Sequence, residues 1–289
     1  MILVTGASGQ LGNATVQNLL NKVPANQIAV LVRNENKVAD LKERGINIRV
    51  GDYHNKQSLI SAFNGVEKLL FVSTSDQNNR LKQQQNVVEA AQEAGVKHIY
   101  YTGALIKDLD SSPLKDFMVP HYQTEEIIKN SNLKYTFFRN NLYADILPFY
   151  LGQEVLHRGI FFPAGHSRTA FTLRNDMAEA FSNVIASSEK HENKIYDISS
   201  SDSVTFDEIA QLLSELSGKT ISYTDADAEV HTNILKAAGL PEYIINIITS
   251  FAAGIKNNDF DNPGDTLEKL LGRKPTSLKT YLKSVYFSN

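Results

Sequence analysis

Thr5-Gly6-Ala7-Ser8-Gly9-Gln10-Leu11-Gly12 follows directly on an apolar tetrad, residues 1–4, and leads into a segment with helical apolar spacing at Leu11, Val16, Leu19 and Leu20. Three glycines at intervals of three, set between a strand and a helix, are what a turn needs when its main chain must approach a pyrophosphate closely. The free amides of the helix N-terminus, with about half a positive charge from the helix dipole, then face the anion. A glycine triplet alone is weak evidence, and the strand-turn-helix setting is what strengthens it. The competing possibility is a tight structural turn without a ligand.

Outward from this turn, strand and helix alternate. Residues 28–32 form a continuous β-branched and apolar run, as expected of a parallel strand buried on both faces. Helix over 37–44, strand over 46–50, helix over 56–63, strand over 68–72, helix over 78–94 and strand over 98–102 follow. Residues 104–120 lose their periodicity among Asp108, Asp110, Ser111, Ser112, Pro113 and Pro120, which predicts an active-site loop. Helix over 121–129 and a sixth strand over 135–138 come next. Then come helix over 147–156, strand over 160–162, a helix capped by Asp176 and running to 186, and a strand over 194–198 returning to the main sheet. The last third alternates helix, a short strand over 221–223 and further helices.

This pattern predicts an α/β protein with a doubly wound parallel sheet (Rossmann fold) and a smaller C-terminal α/β substrate lobe. Residues 1–145 and 168–200 are assigned to the nucleotide-binding domain, and 146–167 and 201–289 to the lobe. In such sheets ligands sit beyond the C-terminal strand ends, so the residues after each strand are the ones that matter.

Composition narrows the chemistry. The 289 residues are 42% hydrophobic and 21% charged, with a formal net charge of −3, which argues against general affinity for nucleic acid or anionic membrane. Cysteine is absent, excluding disulfides, thiolate nucleophiles and cysteine metal sites. His157 and His166 lack the spacing of a metal site, and no metal is expected. No run of about 18 apolar residues occurs, and a chain opening on a strand and phosphate turn has no place for a signal peptide, so a cytoplasmic location is expected. Oligomeric state stays open, a homodimer included; the apolar stretch 244–251 suits core or interface equally.

At the end of the second strand, where NAD-selective folds carry an acid for the ribose 2′-hydroxyl, this chain has Arg33. A guanidinium can grip a 2′-phosphate with charge-assisted bonds worth about 1.5 to 3 kcal/mol, roughly ten- to a hundredfold in affinity, which predicts NADPH. The alternative is a surface arginine paired with Glu35. Asp52 is placed to accept from an adenine amino group and Tyr53 to pack on the ring; alternatively, Asp52 caps the helix over 56–63. Ser73, Thr74 and Ser75 lie where the chain passes beneath the nicotinamide ribose, or serve as cap residues.

The chain resembles the NmrA-like group of atypical short-chain dehydrogenase/reductases, and most closely the bacterial NADPH:quinone oxidoreductases of that group. The resemblance is carried by TGASGQLG at 5–12, VRN at 32–34, GDY at 51–53, VEKLLFVS at 66–73, AGVKHIYYTG at 94–103, TFFRNNLY at 136–143 and LLGRKP at 270–275. It implies NADPH binding and hydride transfer to a quinone-like acceptor. It also implies that Arg139, Asn140 and Asn141 line the nicotinamide, with the two asparagines holding its carboxamide and Tyr143 beside them; Asn-Asn is otherwise a common turn pair.

The wider superfamily uses a tyrosine acid four residues before a lysine. With Glu125 matched to the glutamate that follows that lysine, Phe117 falls on the tyrosine and His121 on the lysine, and Thr102-Gly103-Ala104 supplies no serine. Ketone chemistry is thereby disfavoured, because an alkoxide would lack its proton donor. A quinone asks less, since its reduced oxyanion is a ring-stabilised phenolate that can take a proton from water or a histidine. His121, with an unperturbed pKa of about 6.5, is the candidate donor or ribose anchor, a helix cap being the alternative. Tyr100, Tyr101 and Tyr122 are weaker candidates than Tyr143. Three functions follow: a flavin-independent NADPH reductase of quinones or similar planar electron-poor aromatics, a non-catalytic NADP(H) sensor, or a reductase of aromatic cation dyes.

Overall fold

The computed structural model of the chain describes residues 1–74 and 76–287. Its first half runs β1 (Ile2–Val4), α1 (Gln10–Leu19), β2 (Ile28–Val32), α2 (Ala39–Glu43), β3 (Asn47–Val50), α3 (Lys56–Phe63), β4 (Lys68–Val72), α4 (Arg80–Glu93), β5 (His98–Ala104), α5 (Lys115–Lys129) and β6 (Lys134–Asn140). There follow α6 (Leu147–Leu151), α7 (Val155–Arg158), β7 (Ile160–Phe162), α8 (Arg174–Ala186) and β8 (Lys194–Ile198). The chain ends through α9 (Phe206–Ser217), β9 (Tyr223–Asp225), α10 (Ala228–Ala237), α11 (Glu242–Lys256), α12 (Thr266–Leu271) and α13 (Leu278–Tyr286).

Seven strands form one sheet in the order β3-β2-β1-β4-β5-β6-β8, every neighbouring pair parallel. The order reverses between β1 and β4, and the crevice at such a switch point is where α/β sheets bind ligands. The central strands are apolar because helices cover both faces: Leu3, Ala29, Leu69 and Phe71 pack toward α3 and α4, and Val4, Val30 and Leu70 toward α1 and α8. A third apolar cluster lies apart from the sheet. It joins the start of α5 to α6, α9 and α11, with the two-stranded β7-β9 sheet at its edge. The stretch 244–251 belongs here, with Ile248 buried in this cluster and Ile244 and Phe251 packed against it.

Two local expectations are corrected. The loop expected over 104–120 ends early, because α5 starts at Lys115 and carries Pro120 within it. Proline there removes one intrahelical amide, and the packing of Leu114 and Met118 into the third cluster holds the turn in place. Asp176 does not cap α8; Leu173 precedes the helix, and Asp176 sits in its first turn. Its carboxylate instead accepts from Arg273 Nη2 at 2.7 Å and from the Thr276 amide at 2.7 Å, tying the C-terminal segment to α8.

Candidate active site

The glycine turn has the geometry the sequence asked for. Gly6 has φ +62°, a left-handed conformation that glycine adopts without strain. A Cβ on Gly12 would stand 2.3 Å from the Gly6 carbonyl oxygen, so helix and turn approach this closely only with hydrogen there. No side chain caps α1, and Gly9, Gln10, Leu11 and Gly12 border the adjoining cleft with Gly6. Ser8 lines its outer part, and Ala7 is buried beneath.

The cleft has two compartments, of about 360 and 520 Å³, that share Gly6, Gly9, Val72, Ser73 and Thr74 and therefore adjoin. Arg33 and Asp52 line the smaller one. Glu35, the surface partner considered for Arg33, pairs with Lys42 at 3.3 Å. The capping role considered for Asp52 falls to Asn55, whose side chain accepts from the Ser58 amide, while Asp52 Oδ1 accepts from the His54 amide at 2.9 Å. Tyr53 also lines this compartment. Its hydroxyl is 2.5 Å from Thr5 Oγ1 and 3.0 Å from the Val72 carbonyl, and burial raises its pKa far above the usual value.

The larger compartment contains a connected polar wall. Arg80, first residue of α4, sends Nη2 to Ser73 Oγ at 3.1 Å and to His121 Nε2 at 2.6 Å, and Nη1 to the Phe117 carbonyl at 3.2 Å. A guanidinium only donates, so His121 Nε2 accepts and the ring proton lies on Nδ1, 3.0 Å from the Tyr101 hydroxyl. Tyr101 donates onward to Gln84 Oε1 at 2.7 Å, which also accepts from Thr124 at 2.8 Å. Burial, reinforced by the Arg80 charge, pulls the His121 pKa down to about 3, and burial pushes the Tyr101 hydroxyl up to about 12. His121 therefore stands in the cleft wall as a neutral ring with both nitrogens engaged. That corrects its expected role as a donor of ordinary histidine pKa.

Asn140 and Tyr143 enter the same compartment, with Asn140 Nδ2 donating to the Tyr143 hydroxyl at 3.2 Å. Asn140 is only 6% exposed and its Oδ1 has no partner among the described residues. A bare buried acceptor on a ligand cleft fits the carboxamide NH₂ of a nicotinamide. Asn141 reaches the cleft, but its side chain holds the fold: Nδ2 donates to Ser199 Oγ and the Phe260 carbonyl, and Oδ1 accepts from the Leu142 amide. Arg139 is not brought to this cleft. Since β6 continues through Asn140, alternation sends Arg139 to the opposite face, where it makes a paired contact with the buried Glu125 at 2.9 and 2.6 Å. Ser73 donates its amide to Thr102 Oγ1 at 3.0 Å and Thr74 Oγ1 accepts from the Asp76 amide, whereas Ser75 lies outside the described residues.

The far wall is apolar: Phe117, Met118, Ile146, Ile247, Phe251 and Phe260 line it, the last two phenylalanines stacked at 6.0 Å and 4°. No carboxylate lines this compartment among the described residues, while two guanidiniums do, those of Arg80 and Arg174. Arg174 lies over the Tyr143 ring at 4.2 Å. Neither arginine is evident from motif reading. The signal for Arg80 was faint: a cation at the unfavourable end of a helix with Gln83 and Gln84, not acids, three and four residues on.

Comparison with known proteins places this arrangement. The chain is 35% identical over 292 residues to quinone oxidoreductase 2 of Escherichia coli, covering 100% of both chains. Its structure superposes on the E. coli NADPH-dependent quinone oxidoreductase complexed with NADPH with a TM-score of 0.92 at 34% identity, covering 99% of this chain and 100% of the other. It superposes on the Citrobacter triphenylmethane reductase complexed with NADP(H) with a TM-score of 0.91 at 39% identity, covering 98% and 99%. The NmrA-like family matches residues 1–285, and the chain belongs to that family.

Proposed function

We propose that this chain is an NADPH-dependent reductase that passes a hydride directly, without flavin, to quinones or similar planar, electron-poor aromatic acceptors. The observation that carries the reading is a pair of adjoining compartments that begins at Arg33, passes the uncapped start of α1 and the Asn140 carbonyl, unpartnered among the described residues, and ends on a wall of phenylalanines. Arg33 grips the 2′-phosphate, Asp52 and Tyr53 border the adenine, and Gly6 to Gly12 hold the pyrophosphate. Ser73 and Thr74 border the nicotinamide ribose, and Asn140 orients the carboxamide. When bound, NADPH supplies the hydride. The full-length likeness to a quinone oxidoreductase supports the acceptor class.

The chain's own contribution is to hold the acceptor flat and exclude water. Phe117 replaces a tyrosine acid, so the aromatic wall offers stacking area and no proton. Mixing the protein with NADPH and a panel of quinones, and following loss of the near-ultraviolet NADPH band, tests this; absence of turnover across the panel refutes it. Tight NADPH binding in that case leads to the second reading, a redox sensor, which the neutral and doubly engaged His121 favours.

The division into a nucleotide-binding domain and a smaller lobe belongs to the same proposal. The third apolar cluster supports it and extends the lobe's contacts to the start of α5. Among the described residues no helix is long and apolar enough to cross a membrane.

A further inference from the structure

Arg80 is 8% exposed, and among the described residues its Nε has no partner and its side-chain hydrogen bonds go to no carboxylate. Burying a guanidinium is costly unless an anion meets it, and the loss of one partner to a buried charge typically destabilises by several kcal/mol. All three of its hydrogen-bond partners are neutral: a hydroxyl, a carbonyl and a neutral imidazole. Two of them belong to Phe117 and His121, one turn apart on α5. Arg80 thus delivers from α4 a positive charge to the stretch of α5 that itself brings only the apolar Phe117 and Met118 and a neutral ring to the cleft. It opens on the compartment with the phenylalanine wall and not on the one with Arg33.

We propose that Arg80 is a catalytic residue that stabilises the negative oxygen formed on the acceptor, and that Ser73, the Phe117 carbonyl and His121 are positioning groups that aim it. The proposal rests on the quinone-reductase reading above. In the reaction the C4–H bond of the dihydronicotinamide breaks with its electron pair, and a new bond to hydrogen forms on the quinone. NADPH is oxidised, and the quinone is reduced to a hydroquinone monoanion that then takes a proton from water. Negative charge appears only as the hydride arrives, so a fixed cation beside that oxygen favours the transition state over the neutral ground state. A cationic triarylmethane dye is the opposite case: hydride transfer discharges it to a neutral product, and the Arg80 charge, which no carboxylate meets among the described residues, works against its binding.

The test separates charge stabilisation from cofactor binding. With wild-type protein alone, 4-nitrophenol is titrated and its phenolate absorbance followed. The bound probe is expected to ionise at a pH about one unit below the free probe, a roughly tenfold preference for the anion; ionisation at or above the free value overturns the proposal. In Arg80→Met the preference should vanish, and Arg80→Lys should keep most of it. Quinone kcat in Arg80→Met should fall about a hundredfold. NADPH affinity, measured by fluorescence, should stay within about twofold, and turnover of a cationic dye should hold or rise. Loss of NADPH affinity with quinone kcat retained would make Arg80 a cofactor anchor, and equal loss with quinone and dye would make it structural; either overturns the assignment. If wild-type protein reduces no quinone, the reductase reading fails while the nitrophenol titration still decides what Arg80 does. An unfolded variant likewise leaves the wild-type titration to decide.

Discussion

Two surfaces of the cleft are made from different materials. Around Gly6, Gly9 and Gly12 the main chain forms the surface: the turn presents amides, and side chains are excluded by contacts as short as the 2.3 Å a Gly12 Cβ would have to the Gly6 oxygen. Around Phe117, Phe251 and Phe260 the surface comes from side chains of α5, α11 and the segment after α11. A main-chain surface tolerates no added atom, whereas a side-chain surface can be trimmed and reshaped. The first end therefore fixes which cofactor class can enter, and the second is free to vary the acceptor.

The comparison breaks most visibly at Gly12. Gly12→Ala forces turn and helix apart; overpacking of this kind costs about 1 to 3 kcal/mol, and NADPH affinity should fall by up to about 150-fold in calorimetric titration. An alanine variant with wild-type affinity would show that the main-chain contact is not limiting. Next in size, Arg33→Ala should weaken NADPH about ten- to a hundredfold and leave NADH within about twofold. Equal weakening of both would remove the 2′-phosphate from the account. At the other end, Phe251→Ala should raise quinone KM about three- to tenfold, by loss of an aromatic contact, with NADPH affinity unchanged. A matching loss of NADPH affinity would mean that the two ends are not separable.

The smallest effect concerns pH. Burial pulls the pKa of His98, whose Nε2 lies 2.8 Å from Thr136 Oγ1, down to about 4, and His121 to about 3, both from 6.5. A histidine depressed in the folded state takes up its proton more readily when unfolded. Its contribution is therefore fully present above about pH 6.5 and is lost as pH falls toward the folded values. Urea midpoints should drop between pH 7 and pH 5, on the order of 1 kcal/mol per histidine by pH 5.5, and less steeply in His98→Asn. The rate of hydride transfer should show no histidine inflection in that range, which an active imidazolium would produce.

The parallel strands were legible because both their faces are buried, so 28–32 reads as an unbroken apolar run and 68–72 as one after Lys68, and they match β2 and β4 residue for residue. The glycine turn was legible because a main-chain requirement restricts residue type directly. α5 was misjudged at its start because Ser112, Pro113 and Pro120 signal a break that tertiary packing overrides. Arg139 was misplaced because the strand was expected to end before it; one further pair of residues in β6 decides which side chain meets the cleft. Arg80 escaped because its partners lie 7, 37 and 41 residues away, a distance no local pattern spans.

The clasp between α8 and the C-terminal segment also gives the rim of the cleft a remote anchor. Arg174 and Asp176 share the first turn of α8; the former covers Tyr143 at the cleft, and the latter is held by Arg273 and Thr276. Residues nearly a hundred positions downstream thereby set the attitude of a side chain that lines the larger compartment. The tail is, in effect, the outermost bracket of the cleft, and trimming it for convenience would loosen the wall that Arg174 and Tyr143 build.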